Sequence, residues 1–446
     1  MKTRKIALLA LPLMLVGGLT GCTEKYDATF IIYNWADYIY TGTDDDGNII
    51  DDEGGITDRF AAYYKKETGK KIKVDYRTFA TPELMYSQIK TGSISPDLIC
   101  PSDYMIQKMA NEGMLEKFSY NDATGVYGET LSNWDEYGSQ YIKNRFKESK
   151  LNNNESFLQY AVPYFWGTMG FTYNPQNTKV AGVIDSWECL WNDDADLRGQ
   201  FSLKDSMRDT YVAAIFHVYH DEIVALDESS ASYTADLNAI FNRCDNATIA
   251  KVEAALIQAK KTTVCSFEVD EGKDAIVKGE YAANLAWSGD AVYSMDSAEE
   301  SNDFRLNYSL PKEGSNVWFD GWCMPKGAQK EIAESFVNFI SRPDNAALCM
   351  DYVGYTSPIV GDEIWELVTD KYAAKDSDTD VYETDLSFYF GDSVEDAKIR
   401  VLNSEKGRQF DAQYPTEEVL KKCCVMKDFG SQTKNVEEMW VRVKAA

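Results

Sequence analysis

Trp318 and Asp320 stand two apart in Val317-Trp318-Phe319-Asp320, and in an extended strand that spacing puts an indole and a carboxylate on one face. The pairing recurs along the chain. Trp35 and Asp37 follow the apolar run Thr29–Asn34 with Tyr38 beside them, Ser102 and Tyr104 follow Asp97–Cys100, and Trp287 closes another run with Asp290 three residues on. A carboxylate accepts charged hydrogen bonds from an ammonium group, while an aromatic face covers methylenes and attracts a cation. These residue types suit the capture of an organic cation better than the making or breaking of bonds.

Enzyme signatures are missing to match. The chain has no G-x-x-x-x-G-K-[ST], no G-x-S-x-G and no H-E-x-x-H. Its only histidines, His217 and His220, lie three apart in a predicted helix without an evident third metal ligand, so they read as structural. With 72 acidic residues, no single carboxylate pair can be picked out for glycosidase chemistry. A secreted acidic hydrolase is therefore the alternative outside the binding class. A sugar, an amino acid or a metal chelate is the alternative cargo within it. Asp44, Asp46, Gly47, Ile49 and Glu53 partly fit a calcium loop, but Gly42 fills its first place without a carboxylate, and the segment reads as an exposed acidic loop. No metal or cofactor is expected.

Positioning these side chains requires strands whose ends meet helices. Strand-like runs alternate with helical patterns through most of the chain, the mark of α/β layering, and ligands in open α/β sheets bind at strand ends. The opening reads βαβαβ: a strand at 29–34, a helix at 56–67 stopped by Gly69, a strand at 71–76, a helix begun by Thr81-Pro82, a strand at 97–100 and a helix at 103–113. Further strands are predicted at 170–174, 281–287, 305–310 and 317–323, and helices near 207–224, 247–260, 330–341 and 344–353.

The N-terminal segment assigns a compartment. Lys2, Arg4 and Lys5 precede the apolar run Ile6–Val16 and then Leu19-Thr20-Gly21-Cys22, a secretory leader over 1–21 ending in a lipobox. Cys22 would be the acylated mature N-terminus, anchoring the protein to a membrane surface without spanning it. Loss of three cations with the leader takes the formal charge from −27 to −30, which argues against nucleic-acid partners. The remaining length exceeds what one core usually serves and favours two lobes. Eight cysteines follow Cys22 with no C-x-x-C pair, so they read as scattered buried thiols.

An ordered set of segments resembles the spermidine/putrescine-binding proteins of polyamine ABC transporters: Tyr33-Asn34-Trp35-Ala36-Asp37-Tyr38, Pro101-Ser102-Asp103-Tyr104, Val162-Pro163-Tyr164-Phe165-Trp166-Gly167, Trp287-Ser288-Gly289-Asp290, Trp318-Phe319-Asp320 and Gly354-Tyr355. The resemblance implies a two-lobed type II periplasmic-binding fold with the ligand cleft between lobes, crossing near Gly167, Phe319 and Asp362. Residues 22–166 with 320–361 would form one lobe, and 167–319 with 362–446 the other. It implies an aromatic cage of Trp35, Trp287 and Trp318 with Ser102, Tyr104 and Tyr355 around it, Asp37, Asp209, Asp290 and Asp320 as amine ligands, and Tyr38 beside them. The implied protein is a monomer that hands a polyamine to ABC permease subunits. Three positions depart from the family: Ala36 replaces a hydroxyl residue, Ser206 an acid, and Met426 a glutamine. Asp290 looks like the putrescine-specific members, whereas Tyr104 and Trp318 look like the spermidine ones, so the preferred polyamine stays open.

Overall fold

The computed structural model describes residues 25–44, 47–147, 151, 155–269, 271–302 and 304–446, so the leader and Cys22 lie outside the described residues. The opening is βαβαβ. Strand Ala28–Asn34 buries Phe30 and Ile32 and pairs in parallel with Ile72–Thr78 on one side and Leu98–Ile99 on the other. Between them, helix Ile56–Thr68 buries Ile56, Phe60 and Tyr64, one stripe at intervals of four. It stops at Gly69, where a φ of 73° needs a residue without a Cβ. Helix Pro82–Lys90 is capped by the Thr81 side chain, which accepts from the Leu84 amide.

A larger mixed sheet follows, in the order Cys423–Cys424, Ser315–Trp322, Val162–Tyr173, Ala283–Trp287, Phe201–Lys204 and Val264–Glu268, with Asn307–Ser309 also on Val162–Tyr173. The strand expected at 170–174 is thus the end of a twelve-residue strand that is buried almost throughout. It joins two hydrophobic clusters, giving Val162, Phe165 and Trp166 to the first and Met169 and Phe171 to the second. At the changeover Gly167 lies antiparallel to Trp318. A Cβ there would come within 2.4 Å of the Ser288 hydroxyl and 2.8 Å of the Trp318 ring, so only glycine lets the strands and the next helix meet this closely.

The segment after 362 divides between the two clusters. Expected in the second lobe, it sends Ile364, Val368, Leu386, Tyr389 and Phe410 into the first cluster. Only from Cys424 onward do Met426, Val436, Met439 and Trp440 join the second. The reason is local: Tyr389 accepts the Trp166 indole N–H at 2.9 Å and donates to the Ser357 carbonyl, fixing this segment to first-cluster backbone. The eight described cysteines are all unbonded, and burial pushes the Cys423 thiol up to about 12. Among the described residues no His, Cys, Asp and Glu cluster is placed to hold a metal, and no helix is long and apolar enough to cross a membrane.

Candidate functional site

Three helices begin where strands end, and each brings a carboxylate in its first turn: Asp103 in Asp103–Asn111, Asp209 in Met207–Val218 and Asp290 in Ser288–Asn302. Helix N-termini favour such charges. Asp320 comes instead from strand Ser315–Trp322, opposite Phe165 and bridged to the Ser102 backbone.

Asp320 is buried. Its Oδ2 accepts the Tyr38 hydroxyl at 2.7 Å, and among the described residues its Oδ1 has no hydrogen-bond partner. Burial pushes the carboxyl up to about 6; the Ser102 and Tyr38 hydroxyls pull it back, and Asp209 pushes it further. The Tyr38 ring that holds it packs against Tyr355 at 5.5 Å, and Tyr355 in turn against Trp318 at 5.4 Å. Nearby, Asp103 Oδ1 accepts the Tyr104 amide at 2.6 Å while Oδ2 is buried with no hydrogen-bond partner among the described residues. Burial raises this carboxyl to about 8 in spite of Arg208.

Asp290 is equally buried but fully engaged. Tyr355 donates to Oδ1 at 2.8 Å, and Lys204 Nζ donates to Oδ2 at 2.8 Å. Lys204 closes strand Phe201–Lys204 with 1% of its surface exposed, lies 3.8 Å above the Trp287 ring, and also donates to the Val269 carbonyl at 3.2 Å. Burial alone would push Asp290 up, but the Lys204 and Lys273 charges and the Tyr355 hydroxyl hold it below the usual carboxylate range. Gly289 makes room for the Tyr355 ring, which a Cβ would approach to 2.2 Å.

Buried acids among aromatic rings where strands meet helices can take up a small cation, and comparison with known proteins gives the lineage. The model of the bacterial extracellular solute-binding proteins matches residues 59–362. The chain belongs to that family. It is 24% identical over 446 residues to the putrescine-binding periplasmic protein SpuD of Pseudomonas aeruginosa, covering 98% of this chain and 97% of that one. To the spermidine/putrescine-binding periplasmic protein of Escherichia coli it is 26% identical over 345 residues, 76% of this chain and 80% of that one. The solved spermidine/putrescine ABC transporter substrate-binding protein of Streptococcus pneumoniae shares the fold, with a TM-score of 0.58 at 24% identity over 94% of this chain and 99% of that one. The family is one of transport receptors, not enzymes.

In this solute-binding protein the remaining expected residues divide. Asp209 is buried; burial pushes its carboxyl up, opposed by Ser206, Lys204, Trp287 and Arg208. Tyr104 lies under the Arg208 guanidinium, 4.5 Å from ring to cation, and donates to Glu83 at 2.8 Å. Arg208 is also stacked 4.4 Å over Phe429 and donates to the Lys427 carbonyl. Trp35 is half-buried with its ring 4.9 Å from Phe79. Asp37 is exposed, in left-handed backbone at a φ of 50°, and among the described residues it forms no hydrogen bond or ion pair with the others. Two cations thus stand among these acids, Lys204 and Arg208. Arg208 directly precedes Asp209 and Lys204 stands two residues before Ser206, but a charged residue ending a short strand ordinarily reads as surface.

Proposed function

We propose that this protein is a lipid-anchored, monomeric extracytoplasmic receptor that captures a linear polyamine, putrescine or spermidine, and delivers it to ABC permease subunits. One observation carries the reading: Asp320, a buried carboxylate with an oxygen left unpartnered among the described residues, held by Tyr38, whose ring packs on Tyr355 and through it on Trp318. The polyamine-binding relatives support it, as does the lipobox before Cys22 for the anchor. A micromolar complex needs about 8 kcal/mol, which charge-assisted hydrogen bonds of roughly 1.5–3 and cation–π contacts of about 0.5–2 kcal/mol each can supply. Acids fall on both hydrophobic clusters, so a cation held between them draws the lobes together.

Calorimetric titration of the mature protein with putrescine, spermidine, maltose and glutamate tests the cargo. The polyamines bind, and Asp320→Asn, which keeps the shape and removes the charge, lowers affinity by about tenfold to a thousandfold. Binding of another solute while neither polyamine binds, or full affinity in Asp320→Asn, overturns the assignment. For the anchor, Cys22→Ala leaves an unlipidated precursor; an unacylated mature N-terminus well downstream of Cys22 would refute it.

A further inference from the structure

Lys204 is chemically half of a diamine. Its side chain is a four-carbon stem ending in an ammonium group, and the structure gives that group what an alkylammonium cargo needs: a carboxylate oxygen of Asp290 at 2.8 Å, the Val269 carbonyl at 3.2 Å and the Trp287 face at 3.8 Å. The other Asp290 oxygen is taken by Tyr355. A second ammonium brought to the same box would meet a like charge at close range in a buried setting, where repulsion is little screened. Charges elsewhere in the site follow the same division. Arg208 lies among Asp103, Tyr104 and Asp209, and its own ionised form is opposed by burial and supported by these neighbours. Among the described residues no cation is paired with Asp320. Its carboxyl is held by hydroxyl groups, with one oxygen left open.

We propose that Lys204 is a built-in ammonium that fills the Asp290 half of the site, so that the protein grips its cargo by a single alkylammonium end at Asp320. This inference rests on the reading of Asp320 as the cargo anchor and refines it by naming the ligand class: an aliphatic amine recognised through one charged end and its methylenes. The second charge of a diamine then adds little, and Lys204 sets the specificity.

Calorimetry with n-butylamine and putrescine distinguishes the possibilities, since the two share a four-carbon chain and differ by one ammonium. In the wild-type mature protein their affinities lie within about fivefold of each other. In Lys204→Met, Asp290 is freed of its cation, and putrescine gains about tenfold or more over n-butylamine. The double variant Lys204→Met/Asp290→Asn, which has neither charge, loses that gain. If wild-type protein prefers putrescine by about a hundredfold and Lys204→Met keeps the preference, the Lys204 proposal fails while the polyamine assignment stands. If no amine binds any of the proteins, the cargo assignment fails and this proposal falls with it. The wild-type ratio decides even if Lys204→Met does not fold.

Discussion

Asp320 and Asp290 are both buried carboxylates held by a tyrosine hydroxyl, yet their surroundings drive them in opposite directions. Asp290 accepts Tyr355 and Lys204 and is held below its ordinary range; Asp320 accepts Tyr38, pairs with no cation among the described residues and is pushed up to about 6. Burial acts on both, but the Lys204 and Lys273 ammonium groups oppose it at Asp290, whereas the Asp209 charge adds to it at Asp320. A buried ion pair makes a finished structural unit, whereas a buried carboxylate without a counter-ion holds free energy that a cationic ligand can release. Similar residue types, on strand and helix ends of one site, thus serve structure on one side and reception on the other.

The comparison breaks most visibly in stability. Asp290→Asn strands the Lys204 ammonium, 1% exposed, without its partner, and removal of one member of a buried pair costs roughly 3–5 kcal/mol. Asp320→Asn removes a charge that burial disfavours, so the unliganded protein at neutral pH keeps its stability or gains on the order of 1–3 kcal/mol. Urea denaturation of the two variants without ligand measures both. Equal destabilisation would mean that the two acids are electrostatically alike, contrary to the geometry.

How much of this was readable beforehand differs by element. The βαβαβ opening was legible because its signals are local: Phe60 and Tyr64 at helical spacing, Gly69 as a left-handed stop, Thr81 as a cap. The placing of Trp318 and Asp320 on one strand was legible from period two, and the convergence of Asp209, Asp290 and Asp320 came from family resemblance. Lys204 was not legible. Its strand is only four residues, and nothing local says that the strand ends inside the molecule, next to a helix that begins more than eighty residues later. The packing of the segment after 362 was hidden for the same reason, since it depends on Trp166, more than two hundred residues before Tyr389.

Proton linkage sharpens the contrast by a smaller amount. Because the Asp320 carboxyl is raised to about 6, its contribution to the unliganded fold is present below the unfolded carboxylate range, near pH 4, and is lost as pH rises through 6. Ligand binding has the opposite sign, since an ammonium group needs the ionised form. Affinity for putrescine therefore falls about tenfold, or ~1.4 kcal/mol, from pH 7 to pH 5, with proton release on binding at the lower pH. Asp290, already ionised throughout this window, adds no slope. Titrations at several pH values check this. The residual binding of Asp320→Asn shows a flat profile, and an unchanged slope in that variant would transfer the effect to another group, Asp103 or Asp209 being the buried candidates.

The smallest effect is expected at Asp37, the one proposed amine ligand that is exposed. Two unit charges about 4 Å apart in water attract by only about 1 kcal/mol, and salt at physiological strength screens charges beyond about 8 Å. Asp37→Asn should therefore change putrescine affinity by less than about threefold at 0.15 M salt, a margin that shrinks further on raising the salt. Its backbone explains why an Asp is tolerated here. At a φ of 50° the left-handed conformation costs a residue with a Cβ, but Asn and Asp adopt it more readily than most, so Asp37→Asn leaves stability unchanged to within a few tenths of a kcal/mol. Calorimetry at two salt concentrations, paired with thermal denaturation, makes the measurement. A loss comparable to that of Asp320→Asn would show that the chain around Asp37 rearranges on binding to bring this carboxylate onto the ligand, and that burial in the unliganded fold is not what selects the working acid.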